Sequence, residues 1–282
     1  MWKRAFADLP KPGLLCWLGI VLLGMSTLLA LFGPLLAPYS VGEIVTRVPY
    51  SSSGDGLSFL GGDGLGRDVL SRLLHGAPYT LGIALISTVL SFLLGVGLGF
   101  VAAEKRGLTD EIITWLIDVL LSIPPLLLAL LVIFALGSST PVLIAAIAFV
   151  KAPRIARVAR SVALGISTLE FVEVARAQGE SLLSRLWREI LPNSVRPLMV
   201  EFGLRLTYAV FFLSTLSFLG LGIQPPEADW GSLVRENISG VLLGSYAAIY
   251  PAIAIGALGV GINLVVDWIG GKSSRELSVE LK

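Results

Sequence analysis

The sequence is poor in charge and in the residues that build covalent or metal-bound cores. Of its 282 residues, 15% are charged and 55% are hydrophobic, whereas soluble domains carry about 25% charged residues. The single cysteine, Cys16, excludes an internal disulfide, and the single histidine, His75, has no second histidine or cysteine with which to share a metal. A net charge of +1 gives no electrostatic reason to expect nucleic acid as a partner. These absences indicate an all-α integral membrane protein without a metal site.

Long uncharged runs account for most of the chain. A membrane helix needs about 20 apolar residues, and five segments reach that length. A shorter sixth segment is predicted because GSST precedes Pro141, so Ser139 or Thr140 can cap a new helix with the proline at its first position. That helix is expected to run past Lys151, with its basic end among the lipid headgroups. The predicted spans are 14–33, 78–103, 112–136, a helix starting with 141–150, 197–223 and 242–269.

The basic residues predict the orientation of these spans. With the N-terminus in the cytoplasm, the four cytoplasmic pieces hold 3, 2, 8 and 3 lysines and arginines, 16 of the 21 in the chain. This agrees with the positive-inside rule, whereas five spans would export one basic end. We therefore predict six spans with both termini in the cytoplasm. The expected division is an N-terminus (1–13), a first helix (14–33), an external segment (34–77), a five-helix core (78–270) containing a cytoplasmic loop (165–193), and a tail (271–282).

The cytoplasmic loop is amphipathic. Its sequence FVEVARAQGESLLSRLWREILPN (171–193) favours two short helices, the first begun by a capping box at Ser167 and Glu170 and the second stopped by Pro192. Gly179 suits the turn between them because it tolerates a positive φ. Either the bilayer surface or a groove on a soluble partner would accept the apolar stripe of the second helix. That stripe consists of Leu182, Leu183, Leu186, Trp187 and Ile190.

The spacing within this loop favours the partner. Glu173-Val-Ala175-Arg-Ala-Gln-Gly179, followed after nine residues by Glu189-Ile-Leu191-Pro192, resembles the EAA loop of ABC importer permeases, with Val174 and Glu189 as departures. The resemblance implies a coupling helix that sits in a cleft of an ATP-hydrolysing subunit. The residues to which it assigns this role are Glu173, Ala175, Arg176, Gly179, Glu180, Ser181, Leu182, Leu183, Leu191 and Pro192.

Two further stretches narrow the family. LGGDGLGRDVLSRLLHGA (60–77) and SFLGLGIQPPEADWGSLV (217–234) resemble motifs of the dipeptide/oligopeptide/nickel permeases, the latter those of the second, or C-type, subunit. The amphipathic stretch 67–75 is expected to lie along the membrane surface, and the tryptophan of the second motif to anchor its loop at the interface. By resemblance both segments face an external solute-binding protein. The motif residues are Asp63, Gly66, Arg67, Asp68, Pro225, Pro226, Trp230 and Gly231.

A few charges and small residues fall inside the predicted spans. The charges are Asp118, Glu201, Arg205 and Asp267. Glu201 and Arg205 are four residues apart and can pair on one helix face, and we favour a structural pair over a substrate contact. The two aspartates are expected to neutralise cytoplasmic basic residues, with Lys151 and Arg154 as candidates. The Gly95-x3-Gly99 pattern predicts a close approach of two helices.

Taken together, the motifs imply the type I ABC importer permease fold in the plasma membrane of a bacterium or archaeon. The chain would be one of two homologous permease subunits in contact with lipid, with two ATP-binding subunits that carry the ATP and Mg²⁺ and with an external solute-binding protein. Gly271-Lys272-Ser273 resembles the end of a P-loop but follows a predicted membrane helix, so no nucleotide or catalytic site is expected in this chain. Peptides are the first choice of cargo, with nickel or metal chelates, opines and oligosaccharides as alternatives. A secondary transporter or a membrane enzyme is a weaker interpretation.

Overall fold

The described part of the chain folds as a set of helices. The computed structural model describes residues 12–51 and 58–280, and of residues 272–280 it describes the backbone alone. Much of the predicted N-terminus (1–13) and the side chains of the predicted tail (271–282) therefore lie outside the described residues. The helices are α1 (Leu14–Leu36), α2 (Val69–Lys105), α3 (Leu108–Ser122), α4 (Pro125–Leu136), α5 (Thr140–Ser167), α6 (Glu170–Ala177), α7 (Leu182–Phe218), α8 (Trp230–Asn237) and α9 (Ile249–Glu280).

Four of the described helices, α1, α2, α7 and α9, are long and apolar enough to cross a membrane. Helices α3 and α4 make a fifth candidate if they are counted together, but they meet at 90°. The bend follows from Pro124, which pushes Ile123 into an extended conformation and ends α3 there. The segment predicted as a span over 112–136 therefore consists of two helices at a right angle. The count of six spans stays a prediction.

Helices α2 and α5 share the most extensive contact in the bundle. Cβ atoms built on Gly95 and Gly99 would lie 2.8 Å from the carbonyl oxygen of Ala152 and 2.4 Å from that of Ala156, so neither position has room for a side chain. Lipid tails are as apolar as the helices, so association inside a membrane depends on such close packing rather than on the hydrophobic effect. This confirms the predicted close approach and fixes the two helices side by side.

Two predicted features near helix ends are wrong, and a third is confirmed. The amphipathic stretch from Arg67 to His75 does not lie on a surface, because most of its residues are buried, and from Val69 onward it forms the first two turns of α2. Pro192 does not stop a helix, since a π-helical turn at Leu186–Ile190 carries the chain directly into α7. Lys151 is followed by 16 further residues of α5, which confirms that this helix runs past it.

The start of α6 also differs from the prediction. The N-cap residue is Leu169, without a side-chain hydrogen bond, and the Ser167 hydroxyl donates instead to the carbonyl oxygen of Leu164 at 3.1 Å. The predicted capping box is therefore absent. By contrast, Ser139 caps α5 with Pro141 in the first turn, as expected, although no side-chain hydrogen bond supports the cap.

Candidate functional site

The motif residues lie in two groups at opposite ends of α2. Near Val69, the connections on either side of α8 and the residues before α2 pack together. Near Lys105, the amphipathic segment 165–193 folds against the other end of the same helix. Helix α2 therefore links the two candidate sites directly.

Segment 165–193 is a helix, a tight turn and the start of a second helix. Helix α6 ends at Ala177, and Gly179 follows with φ +79°, which is the left-handed conformation predicted for that glycine. Ser181 then caps α7, its hydroxyl oxygen accepting the backbone N–H of Ser184 at 3.3 Å. The turn of this segment is thus defined by local backbone chemistry.

A buried carboxylate holds the segment to the bundle. The Glu104 side chain, 0% exposed at the end of α2, accepts hydrogen bonds from Arg176 Nη2 at 3.0 Å and from Arg185 Nε at 2.8 Å. Arg185 also donates to the carbonyl oxygen of Glu180, inside the turn. Both helices of the segment are therefore tied to one point of α2.

The apolar stripe of the second helix is divided between the core and the surface. Ile190 is fully buried, and Leu186 packs against the same cluster as Phe100 of α2. Leu183 and Trp187 remain 65% and 63% exposed. The stripe is therefore only partly used by the chain itself, and its exposed part lies beside the turn. Among the other motif residues, Glu173, Gly179 and Ser181 are exposed, Ala175 is buried, and Arg176, Glu180, Leu182, Leu191 and Pro192 are half-buried.

At the other end of α2, four charged side chains form a closed group, which we call the Asp63 network. Asp63 Oδ2 accepts from Arg67 Nε at 2.7 Å and from Arg72 Nη1 at 3.0 Å, and Glu236 Oε2 accepts from both arginines at 2.7 Å. Two positive and two negative charges balance in a largely buried site, which satisfies the requirement that buried charges be paired. The network joins the loop before α2 to α8.

The remaining motif residues around this network are structural. Asp68 caps α2, accepting the backbone N–H of Ser71 at 2.7 Å. Gly66 has φ +78°, and a Cβ there would lie 2.0 Å from the carbonyl oxygen of Thr46. A Cβ on Gly231 would lie 2.7 Å from the backbone of Ser214, so this position has no room for a side chain.

Trp230 is not an interfacial anchor. Its side chain is 0% exposed, and the indole N–H donates to the carbonyl oxygen of Leu73 at 3.0 Å. Its backbone N–H donates to the Thr80 hydroxyl at 2.9 Å. The prediction fails because α8 folds inward against α2. Pro225 and Pro226 lie exposed nearby, joined by a cis peptide bond.

Two carboxylates at this end have displaced pKa values. Burial raises the pKa of Asp229, although the Ser217 hydroxyl and three backbone N–H groups donate to it and act in the opposite direction. Burial alone would also raise the pKa of Glu236, but hydrogen bonds and charge attraction from Arg72 and Arg67 outweigh it and bring the pKa below its ordinary value. Glu236 is therefore an ionised member of the network at neutral pH.

The charges inside the predicted spans are partly paired. Arg205 Nε donates to Glu201 Oε1 at 2.6 Å, as predicted for residues four apart. Asp118 pairs with Arg157, so the expected partners Lys151 and Arg154 are wrong for this aspartate. Asp267 is exposed on α9.

Sequence reasoning missed the two carboxylates that organise the sites, Glu104 and Glu236. Glu104 is adjacent to Lys105, so in the sequence it resembles any charge at the end of a membrane helix. Glu236 is five residues beyond the nearest motif residue. Their partners lie from 72 to 169 residues away along the chain, and no local pattern connects them.

The chain resembles a set of bacterial transport proteins over most of its length. Residues 95–279 match the family described as "Binding-protein-dependent transport system inner membrane component". The chain is 34% identical to the "Peptide transport system permease protein SapC" of Salmonella typhimurium, over 95% of this chain and 90% of that protein. It is 33% identical to the "Glutathione transport system permease protein GsiD" of Pectobacterium atrosepticum, over 85% and 79% of the two chains. It is 32% identical to the "Di/tripeptide transport system permease protein DppC" of Pseudomonas aeruginosa, over 88% and 84%. The resemblance drawn from the motifs is confirmed, and the chain is a multi-pass membrane protein that belongs to the family of inner membrane components of binding-protein-dependent transport systems.

Proposed function

We propose that this chain is one of two permease subunits of an ATP-driven importer, and that its cargo is a short peptide. Three relatives named for peptides, di- and tripeptides or glutathione support this cargo class. ATP and Mg²⁺ would be held by partner subunits, and an external binding protein would deliver the peptide. In the proposed topology the bent pair of α3 and α4 and the helix α5 complete six spans, with both termini in the cytoplasm.

The exposed tip of segment 165–193 is the observation that carries the proposal. Leu183 and Trp187 present apolar surface next to a turn that Glu104 fixes to the bundle. An apolar helix face held rigidly at the end of a bundle suits insertion into a groove of another protein. Closure of two ATP-binding partners would then move the docked tips as rigid bodies and switch the access of the pathway.

The main rival is a secondary transporter, which needs no partner. Such proteins place ionisable residues along an ion path in the membrane. Here Asp118 and Glu201 each pair with an arginine, and the remaining carboxylate, Asp267, lies near the end of its predicted span, so these residues do not form an ion path through the described part of the chain. The pairing favours a pathway driven from outside the chain.

Docking and energy source are tested together in the reconstituted complex. Leu183→Asp is expected to abolish co-purification of the ATP-binding subunits and ATP-dependent uptake of a radiolabelled tripeptide. The control is Leu242→Asp, at an exposed leucine of the other end (91%, against 65% for Leu183), which is expected to retain both. Uptake that continues without ATP, or ATPase binding that survives Leu183→Asp, would refute the proposal.

The topology is tested with single cysteines. The native Cys16 is buried, so it gives little background in thiol labelling. A membrane-impermeant reagent added to intact cells is expected to label Leu242→Cys and not Leu183→Cys. Labelling of the latter from outside would reverse the proposed orientation.

A further inference from the structure

Helix α5 carries four cations at intervals of three residues, and only two of them have a carboxylate partner. Arg157 and Arg160 pair with aspartates of α3, the latter through both carboxylate oxygens at 2.5 and 2.6 Å. Lys151 and Arg154 make no ion pair with any carboxylate in the described part of the chain. Arg154 is exposed and Lys151 is half-buried, so both are accessible.

These two cations lie deep in the proposed membrane region. Ala152, beside Lys151, packs against Gly95 of α2. Gly95 precedes the end of α2 at Lys105 by ten residues, or about 15 Å of helix. That is about half of a hydrocarbon core roughly 30 Å thick. Charged side chains at such a depth face a bundle interior or a water-filled cavity rather than lipid.

Helix α7 supplies a third cation and two aromatic rings next to them. Lys151 Nζ lies 4.0 Å from the centroid of the Phe212 ring, and Arg205 Cζ lies 5.6 Å from that of Tyr208. Arg205, Tyr208 and Phe212 are spaced by three and four residues, so they share one face of α7. Its contact with Phe212 therefore places Lys151 at the face of α7 that carries Arg205. Tyr208 is 54% exposed, so this face of α7 is open.

The charges at this level do not balance. Lys151, Arg154 and Arg205 are positive, and Glu201 is the one carboxylate paired with any of them among the described residues. Three cations against one anion leave an excess of two positive charges. From this excess we infer that Lys151, Arg154 and Arg205 line the translocation pathway and bind the carboxylate of the cargo. The inference rests on the proposed function.

The chemistry of the site suits the end of a peptide. A C-terminal carboxylate has a pKa of about 3.3–3.7 and is ionised at neutral pH. An arginine can bind it through two parallel hydrogen bonds, while a lysine acts as a point charge beside it. The exposed ring of Tyr208 offers apolar contact to a side chain of the peptide. A lipid phosphate fits less well, because it is confined to the headgroup region about 15 Å away.

The experiment compares one peptide in two forms. The assembled importer and its binding protein are reconstituted in liposomes, and ATP-dependent uptake is measured for a tripeptide with a free C-terminus and for its C-terminal amide. Arg154→Gln is expected to lower uptake of the free acid about tenfold and to leave the amide unchanged, since the loss of one charge-assisted hydrogen bond corresponds to a factor of at least about ten. Lys151→Arg, which keeps the charge, is expected to retain the preference for the acid.

The matched control is Arg157→Gln, one turn along α5, where the cation already has a carboxylate partner. It is expected to change uptake of both peptide forms equally. The binding protein is the same in every measurement, so its own preference cancels when each variant is divided by wild type.

Three results would overturn the inference. An unchanged acid-to-amide ratio in Arg154→Gln would show that the site does not bind the carboxylate. An equal fall in both forms, or loss of the second permease on purification, would assign Arg154 to a structural or intersubunit contact. If the wild-type complex transports neither form with ATP, the proposed function fails instead. This result distinguishes failure of the proposed function from failure of the inference.

Discussion

Replacing Glu104 with glutamine is expected to loosen segment 165–193 without altering its exposed surface. The carboxylate is fully buried and accepts hydrogen bonds from Arg176 and Arg185. A hydrogen bond to a charged group contributes about 1.5–3 kcal/mol. Arg176 is 38% exposed, so its share is reduced by solvent screening, whereas Arg185 is only 14% exposed. Glutamine keeps one acceptor oxygen, so we expect a net loss of about 2–3 kcal/mol, mostly from Arg185.

This loss has a local readout. A change of 2–3 kcal/mol corresponds to roughly a 30- to 150-fold increase in the fraction of time the segment is open. Hydrogen exchange in the assembled complex is therefore expected to speed up by that factor for the amides of 170–190, and to stay unchanged in the core of α2. Peptide transported per ATP hydrolysed should fall, because a loosened tip transmits less of the motion.

The matched control is Glu170→Gln, in the same segment. Glu170 is exposed and has no side-chain hydrogen bond or ion pair among the described residues. It is expected to lose only the few tenths of a kcal/mol that a carboxylate contributes at a helix N-terminus. Equal hydrogen exchange in the two variants would contradict the assignment of Glu104 as the anchor of the segment.

Three further predictions concern the bundle and its two ends. Gly99→Ala is expected to lower the unfolding temperature of the purified complex, because the added Cβ meets a carbonyl oxygen of α5 at 2.4 Å. Gly97→Ala, where a Cβ meets nothing within 4 Å, should leave that temperature unchanged. Equal unfolding temperatures of the two variants would argue against the α2–α5 contact. The pKa of Glu236 lies below its ordinary value of 4.5. Its contribution to stability should therefore be complete above pH 4.5 and be lost as the pH falls through the lower pKa of the folded state. Glu236→Gln should remove this part of the pH dependence of thermal unfolding, and an unchanged pH profile would contradict the assignment. Spin labels at Leu98 of α2 and Phe149 of α5, both exposed, are expected to keep a constant distance through the ATP cycle, and a shift of several ångströms would refute a rigid α2–α5 pair.

The sequence was sufficient wherever the cause of a structure is local. Gly179 adopts the left-handed turn predicted for it, and the Glu201–Arg205 pair forms at its helical spacing. Glycine has no side chain, so a close approach at Gly95 can be predicted from the sequence. The turn and the ion pair depend on residues within about four positions of one another, and the glycine pattern predicts a close approach without identifying the partner helix.

The sequence was insufficient where a distant segment determines the environment of a residue. Trp230 reads as an interfacial anchor until α8 folds against α2 and buries it. Arg72 reads as part of a polar surface, but it is 1% exposed because Glu236, 164 residues later, neutralises it.

Helix α2 explains why both candidate sites can respond together. It runs for 37 residues, or about 55 Å, from the cap at Asp68 beside the Asp63 network to Glu104 beneath segment 165–193. Close packing at Gly95 and Gly99 prevents it from sliding or separating easily from α5. A force on the exposed tip therefore acts through Glu104 on the α2–α5 pair as one body. The π-helical turn at Leu186–Ile190 lies where segment 165–193 enters α7, and such turns often mark places where a helix yields. The same motion would change the position of Lys151 and Arg154 on α5 relative to Arg205 on α7, so docking at one end of the bundle would alter how the three cations hold a carboxylate at its centre.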